Sequence, residues 1–343
     1  MNRRELIKGV AALPLIAGTM AAGQSNQPKQ IKPKRLVAGD TVGIIAPAGP
    51  ATSEAFDRAR ANIAALGFKV KVGRSARGKF GFLSAPDKER LADLHWAFSD
   101  PEIKAVWCVR GGGGAPRLLA DIDYSLIKKN PKIFIGFSDI TALHLAIGQN
   151  TGLVTFHGPV AASEYSEYTR KHVLNLLTQP SSPYKIEVSE FNRTKESSLF
   201  RTVELVKGKC KGRLTGGNLS LLSALAGTPY ALKDIKGKIL FIEEINEAPY
   251  RVDRMLTQLR QSLDLKSVAG IALGVFEDNN AEHARDAKPV LDVIRDRLGE
   301  LGVPLIYGLS FGHIRDNLTI PYGINVELDT SLATLTLLES AVS

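Results

Sequence analysis

The run IFIGFSDITALHLAI, residues 133–147, sets a serine where it can attack: a β-branched apolar segment reaches Gly136, and Asp139 then opens a helical pattern. A buried strand that turns directly into a helix projects the Ser138 hydroxyl from the carboxyl end of a parallel strand, where open α/β sheets bind ligands. This is the geometry of a nucleophile elbow, although the second glycine of G-x-S-x-G is missing. Serine also caps helices, and the spacing leaves both roles open. VRGGGGAPRLL, residues 109–119, has the same setting between an apolar strand and a helix. Its four glycines allow close backbone approach and outward N–H groups, which suit an oxyanion or a phosphate and equally a plain flexible turn. Neither Gly-Lys-Ser/Thr nor G-x-G-x-x-G spacing occurs there, so it is neither a P-loop nor a dinucleotide fingerprint. In ILFIEEINEAPYRVDRMLTQL, residues 239–259, a strand ends in Glu243-Glu244. Such carboxylates are usually solvated, but beside a histidine one can orient an imidazole. FGHIRDNLTIPYG, residues 311–323, offers that histidine: His313 lies in a glycine-bounded loop after the strand VPLIYG, as a general base or as a surface residue.

The other histidines carry less. His157, at a strand end beside Gly158-Pro159, is placed to line the same cleft, while His144 falls in the helix after Ser138 and His95, His172 and His283 have helical, charged surroundings. No H-E-x-x-H, clustered cysteine or EF-hand pattern exists, so no metal is expected, and no cofactor either. Two S-x-x-K matches, Ser125 to Lys128 and Ser182 to Lys185, lack the K-T-G and S-D-N partners of a penicillin-binding protein and are read as chance.

These residues need a scaffold. From Leu36 the chain alternates: the strand TVGIIAP, a helix with Phe56, Ala59, Ile63 and Leu66 at helical spacing and Ser53 as N-cap, the strand FKVKV, a helix from about Pro86 to Phe98, and the strand KAVWCV. After the glycine loop come KIFIGF, a helix from Asp139 to about Gln149, and LVTFHG. Strands separated by helices predict a parallel sheet covered on both faces, so residues 36–180 form one doubly wound α/β domain. Polar residues 181–202 read as a linker. Residues 203–343 form a smaller mixed α+β domain: TVELVKG, a helix opening around Gly216-Gly217-Asn218, KILFIEE, the helix PYRVDRMLTQLRQSL, VAGIALGVF, a helix over about Ala284 to Leu298, and a hairpin from INVELD and ATLTLLE.

The 343 residues are 44% apolar and carry a net charge of +9, of which Arg3, Arg4 and Lys8 against Glu5, with Lys29, Lys32, Lys34 and Arg35, supply +6 and leave +3 for the rest. The body is nearly neutral and has no basic stripe with aromatic platforms, which argues against a nucleic-acid partner. The longest apolar run, Gly9 to Gly23, falls short of the ~20 strongly apolar residues of a spanning helix, so no integral membrane segment is expected. Residues 1–23 instead read as an export signal: Arg3-Arg4 resembles a twin-arginine pair, and Ala21, Ala22 and Gly23 suit a signal peptidase. A periplasmic location follows, with an uncleaved N-terminus in the cytoplasm as the alternative. Residues 24–35 have too few apolar groups to pack and read as a flexible leader. Cys108 lies in an apolar strand, as a small core residue would, so pairing with Cys210 is not expected.

Taken in order, Gly-Phe-Ser-Asp at 136–139, the Glu243 to Leu256 block, and Gly-His with Asn317 and Pro321 behind it resemble the LD-carboxypeptidase family of serine peptidases, the murein tetrapeptide carboxypeptidases and their microcin-immunity relatives. The similarity runs from about Leu36 to Leu338. It implies a Ser138–Glu243–His313 triad, with Glu243 rather than Glu244 at the family's position, a Rossmann-like N-terminal domain, a C-terminal domain with a β-barrel core, and a homodimer. It also implies a peptidoglycan-derived tetrapeptide as substrate, losing its terminal D-alanine through an acyl-enzyme. In that mechanism the oxyanion is expected between the N–H of Asp139, at a helix N-terminus, and that of Gly112 in the glycine loop. Arg110, Gly113, His157 and Arg251 are the expected substrate contacts; Arg251 and Arg254 are cationic enough for a peptide carboxylate and equally suited to surface ion pairs. The family's glycine loop commonly reads Arg-Gly-Gly-Tyr-Gly, and Gly113 stands here in place of the tyrosine, which alters the pocket wall. Its well-known members are cytoplasmic, whereas this chain carries an apparent export signal. A periplasmic solute-binding protein would share the export and the two lobes but would not need the three residues to converge, and an α/β-hydrolase esterase would share their order but require G-x-S-x-G.

Overall fold

The computed structural model describes residues 28–277 and 288–343. The export segment 1–23, the beginning of the leader, His283 and the start of the helix expected from Ala284 lie outside the described residues. Strands β1 (Thr41–Ile45), β2 (Lys69–Val72), β3 (Ile103–Cys108), β4 (Ile133–Gly136) and β5 (Phe156–His157) come first along the chain. They are followed by β6 (Tyr184–Glu187), β7 (Val203–Val206), β8 (Lys209–Asn218), β9 (Ile239–Ile245), β10 (Gly270–Glu277), β11 (Leu305–Leu309), β12 (Ile320–Pro321), β13 (Asn325–Asp329) and β14 (Thr334–Leu337).

One sheet runs in the order β12-β5-β4-β3-β1-β2, with β1 to β5 parallel and β12 antiparallel at the edge. The residues of β1, β3 and β4 are almost all buried, as parallel strands covered on both faces must be. The helix Ser53–Ala65 buries Phe56, Ala59 and Ile63, the expected stripe, but Thr52 rather than Ser53 caps it, accepting from the N–H of Ala55. Two adjacent hydroxyl residues both satisfy the capping rule, and which one turns the chain is a one-residue matter. The chain order reverses between β1 and β3, which makes a crevice at the carboxyl ends of these strands. There the loops behind them meet, the N–H of Gly49 donating to the carbonyl of Gly111 at 3.0 Å.

The second sheet runs β6-β14-β13-β8-β9-β10-β11-β7, with β8 to β11 parallel and the flanking pairs antiparallel. The hairpin of β13 and β14 is the expected one. The strand order is open, with β6 and β7 at its edges, so the β-barrel core implied by the family resemblance is not found among the described residues. Strand β8 bridges two ladders instead: Lys209–Arg213 pairs with β13, and Leu214–Asn218 with β9.

Three local expectations give way to tertiary contacts. The leader is not loose from Gln30 onward: Ile31 bridges Leu153, Lys32 pairs with Glu339 at 2.7 Å, and Arg35 and Pro33 exchange backbone hydrogen bonds with Ser343. The linker 181–202 contributes β6 to a sheet edge and a short helix, Glu190–Thr194. The helix expected around Gly216 begins at Leu219, because Gly216 and Gly217 belong to β8 and Asn218 caps. A single hydrophobic cluster, from Leu36 through Phe134 and Phe241 to Val342, runs through both halves of the chain. No helix among the described residues is long and apolar enough to cross a membrane.

Candidate active site

Ser138 follows β4 and sits at φ 65°, a left-handed conformation that costs a non-glycine residue about 1–3 kcal/mol and persists only where neighbours impose it. Two contacts do so. The Asp139 carboxylate, buried under the turn, accepts the N–H of Ala115 at 2.7 Å and so ties the elbow to the glycine loop behind β3. Burial pushes that carboxyl up to about 6, against the Ala115 hydrogen bond and the nearby Arg90 charge. Gly111 packs directly on the serine: a Cβ there would lie 2.9 Å from Ser138 Cβ and 3.1 Å from its Oγ. Ser138 itself is half-buried and open to solvent on one side.

The glycine loop is framed by a residue that the motif reading passed over. Arg90 is fully buried; its guanidinium donates to the carbonyls of Pro47, behind β1, and Gly114, behind β3, and to that of Ala85, and pairs with Asp87. A buried guanidinium holding three carbonyls fixes both loops at the crevice. Its sequence signal was faint, an arginine in an otherwise charged helix. Gly112 is exposed, and Gly113 faces Phe82, whose ring would meet an added Cβ at 3.8 Å and is itself 67% exposed.

Strand alternation sends the adjacent carboxylates of β9 to opposite faces. Glu243, fully buried, accepts the Nδ1–H of His313 at 2.7 Å through Oε2. Glu244 turns instead to the helix Leu219–Ala224, accepting from the N–H and Oγ–H of Ser220, both at 2.7 Å, and from Asn218 Nδ2 at 3.1 Å. The loop of His313 lies close on Glu243 because Gly312, at φ 114°, has no side chain; a Cβ would come within 3.0 Å of Glu243 Cβ. Asn317 Oδ1 accepts the Gly312 N–H and closes that loop. The His313 ring packs 4.7 Å from the ring of Phe137, the residue before Ser138, which brings the histidine to the elbow.

The electrostatics follow from this packing. Burial works to raise the Glu243 carboxyl, but the charge and hydrogen bond of His313 outweigh it and hold the group below its ordinary value. Burial likewise works to lower His313, and Glu243, with help from Glu244 and Glu277, raises it overall. Burial and the charge of Glu243 raise Glu244. With Nδ1–H engaged by the carboxylate, the neutral form of His313 leaves Nε2 unprotonated, the acceptor a general base requires.

The expected substrate contacts divide. Arg110 is exposed and donates to the carbonyl of Pro50 at 2.9 Å, at the mouth of the crevice. Arg251 lies on a helix surface, pairing with Glu247 at 3.4 Å and donating to the Tyr250 hydroxyl, and Arg254 is exposed beside the Tyr250 ring. That is the ion-pair arrangement left open in the sequence. His157 does not line a cleft: it is fully buried, because β12 covers the edge of β5 and pairs Ile320 with it. His144 is buried too, its Nε2–H donating to the carbonyl of Gly136. A cavity of about 490 Å³ is lined by Tyr124, His144, Arg213, Tyr230, Lys238 and Tyr322 among others, and by none of Ser138, Glu243 or His313. Cys108 and Cys210 are free thiols, and no group of three potential metal ligands occurs among the described residues.

Sequence and fold both resemble those of known proteins. The LD-carboxypeptidase N-terminal domain family matches residues 42–158, and the LD-carboxypeptidase C-terminal domain family matches residues 211–328. A probable murein peptide carboxypeptidase of Bacillus subtilis is 43% identical over 91% of this chain and 95% of its own length. The muramoyltetrapeptide carboxypeptidase of Oxalobacter formigenes superposes with a TM-score of 0.72 at 33% identity, covering 87% of this chain and 97% of that one. An MccF-like protein of Bacillus anthracis superposes with a TM-score of 0.79 at 31% identity, covering 90% and 99%.

Proposed function

The chain belongs to the LD-carboxypeptidase family of serine peptidases, and from that premise we propose that it releases the terminal D-alanine of peptidoglycan tetrapeptides through a Ser138–Glu243–His313 triad. The observation that carries the reading is the fully buried Glu243 bound at 2.7 Å to His313, whose ring packs beside the strained elbow of Ser138. His313 Nε2 takes the proton as Ser138 Oγ attacks the carbonyl of an L-centre joined to the D-residue, and Glu243 stabilises the imidazolium that forms. The D-alanine amine leaves with that proton, and water resolves the acyl-enzyme by the same route. The N–H groups of Gly112 and Asp139 receive the oxyanion, one such donor contributing about 3 kcal/mol to the barrier reduction.

Incubation with L-Ala-D-Glu-meso-diaminopimelate-D-Ala, followed by mass spectrometry, tests this. Wild type yields the tripeptide and leaves the D-Ala-D-Ala pentapeptide intact, while Ser138→Ala and His313→Ala fold normally and yield none. Near wild-type turnover by Ser138→Ala would refute the triad, and wild type that binds the tetrapeptide without cleaving it would return the solute-binding reading. A microcin-immunity peptidase is the second reading, favoured by the likeness to the MccF-like protein. Relative rates on the tetrapeptide and on a microcin separate the two.

The proposal includes compartment and assembly. Export rests on the Arg3-Arg4 pattern and the small residues at 21–23, and N-terminal sequencing of the protein from its native cell reads the cleavage. The homodimer rests on the family resemblance and is read by sedimentation.

A further inference from the structure

Behind the His313–Glu243 pair, several buried polar atoms lack partners. His157, at the end of β5, is fully buried, and neither of its ring nitrogens has a hydrogen-bond partner. Glu243 gives Oε2 to His313, but its Oε1 is unpartnered, and His157 Nε2 lies 3.9 Å from it. The hydroxyls of Thr155 and Thr319 are also buried without partners, Thr319 lying against Gly158 on the segment that leads into β12. A buried polar group left unpaired is costly, and such atoms are rare in folded proteins unless they serve one another. Glu243 Oε1 can only accept, and neutral imidazole has one N–H to give. Moving from 3.9 Å to an ordinary hydrogen-bond length needs about 1 Å of ring displacement, or one bridging water.

We propose that His157 is a positioning residue for proton transfer, whose Nε2–H holds the second oxygen of Glu243 so that the carboxylate is gripped between two imidazoles. This rests on the reading of Ser138, Glu243 and His313 as the catalytic set. His157 stays neutral, because burial pushes it down to about 4 despite Glu243, and a neutral donor suits the role across the working range. The groups facing it are Glu243 from β9, His313 from its loop, His144 at 6.4 Å between ring centres, and the edges of Phe137 and Phe241; Glu244 and Glu277 also act on His313. With the donor removed, the Glu243 charge is less dispersed and favours the His313 cation more strongly, so the acid limb of kcat/KM moves to higher pH. The carboxylate also gains freedom to turn. KM is untouched, since a fully buried ring meets no substrate.

The test compares His157→Phe, which keeps the ring but has no donor, with His157→Gln, which keeps an N–H. Expected for His157→Phe are a kcat at least about tenfold down, a KM within about twofold, and an acid limb displaced upward by about half a pH unit or more, with His157→Gln recovering most of the loss. His157→Met serves as the donor-free variant if phenylalanine does not fold. NMR titration of the His313 ring in the Ser138→Ala background reads the same upward shift without any substrate. A donor-free variant with wild-type kcat and an unmoved limb overturns the proposal, and so does a His157→Gln variant as impaired as His157→Phe with neither limb displaced. Ser138→Ala in the same assay keeps the two questions apart: turnover there defeats the catalytic reading itself, whereas an inactive Ser138→Ala beside silent His157 variants defeats only the positioning role.

Discussion

Glu243→Gln removes one charge and almost no volume from the centre of the site. The amide oxygen can still accept the Nδ1–H of His313, so the fold and the ring orientation are expected to survive, and what disappears is the field that steadies the imidazolium. Glu243 is fully buried and the contact is 2.7 Å long, so bulk salt screens it little. At an effective dielectric of about 20, two unit charges at that separation interact by about 6 kcal/mol. The corresponding Asp→Asn replacement in a serine triad lowers kcat by about 10⁴, or about 5.4 kcal/mol, by holding the imidazole in the wrong tautomer, so a loss of that order is expected here. A second signature is a matter of sign. Glu243 is the main influence holding His313 above its ordinary value, and burial opposes it. In Glu243→Gln burial prevails, His313 falls, and the acid limb of kcat/KM moves to lower pH, since the base works above its pKa. Release of D-alanine, followed by a coupled oxidase from about pH 5 to about pH 9, measures both quantities, and thermal unfolding confirms that the variant is folded. A variant within about tenfold of wild-type kcat, or one whose limb has not moved, would refute Glu243 as the charge partner of the base.

The turn itself gives two further expectations. Gly111→Ala places a Cβ about 2.9 Å from Ser138 Cβ, so the serine or the loop must shift; kcat should fall by about tenfold or more with little change in melting temperature, and an unchanged kcat would mean that the loop yields freely. Asp139 is raised in the fold from 3.8 to about 6, so its contribution to stability is full below about 3.8 and is lost as pH rises through about 6. Asp139→Asn should therefore be more stable than wild type at pH 8, by up to about 3 kcal/mol, with the advantage disappearing near pH 4; urea unfolding at both pH values reads it, and a gap independent of pH would contradict the argument.

Much of the site was legible because its signals are local. An apolar strand running into Gly136 and a helix-opening Asp139 specifies a turn at Ser138 whatever lies elsewhere, and glycine on both sides of His313 marks a loop that must come close to something. The choice between Glu243 and Glu244 came from the family resemblance; the alternation of β9 supplies its physical reason, one carboxylate facing His313 and the other Ser220. What escaped depends on partners far along the chain. Two-residue β12 has no periodicity to read, and it becomes a strand only because β5 offers an unpaired edge. His157 looked accessible because a strand end beside Gly-Pro usually is, and β12 is what buries it. The segment from Gln30 to Arg35, too polar to form a core of its own, is held instead by the backbone groups of Gly152, Val154 and Ser343. The helix Glu167–Thr178 carries a readable signal too, Ser166 before His172, Val173, Leu176 and Leu177, diluted by the polar residues around it.

The return of β12 to the first sheet bears on ancestry as well as on packing. The loop that carries His313 is followed within eight residues by Pro321, which lies in the same sheet as the strand that launches Ser138. A gene cut anywhere in the connecting segment 181–202 would leave one product with a naked β5 edge, ready to recruit foreign strands, and another with a strand that has lost its template. Neither fragment would hold a complete set of reacting groups, so neither could have been selected for this chemistry alone. Recombination that swaps one half for that of a distant cousin must match this seam as well as the crevice, which favours inheritance of the two halves as a single unit.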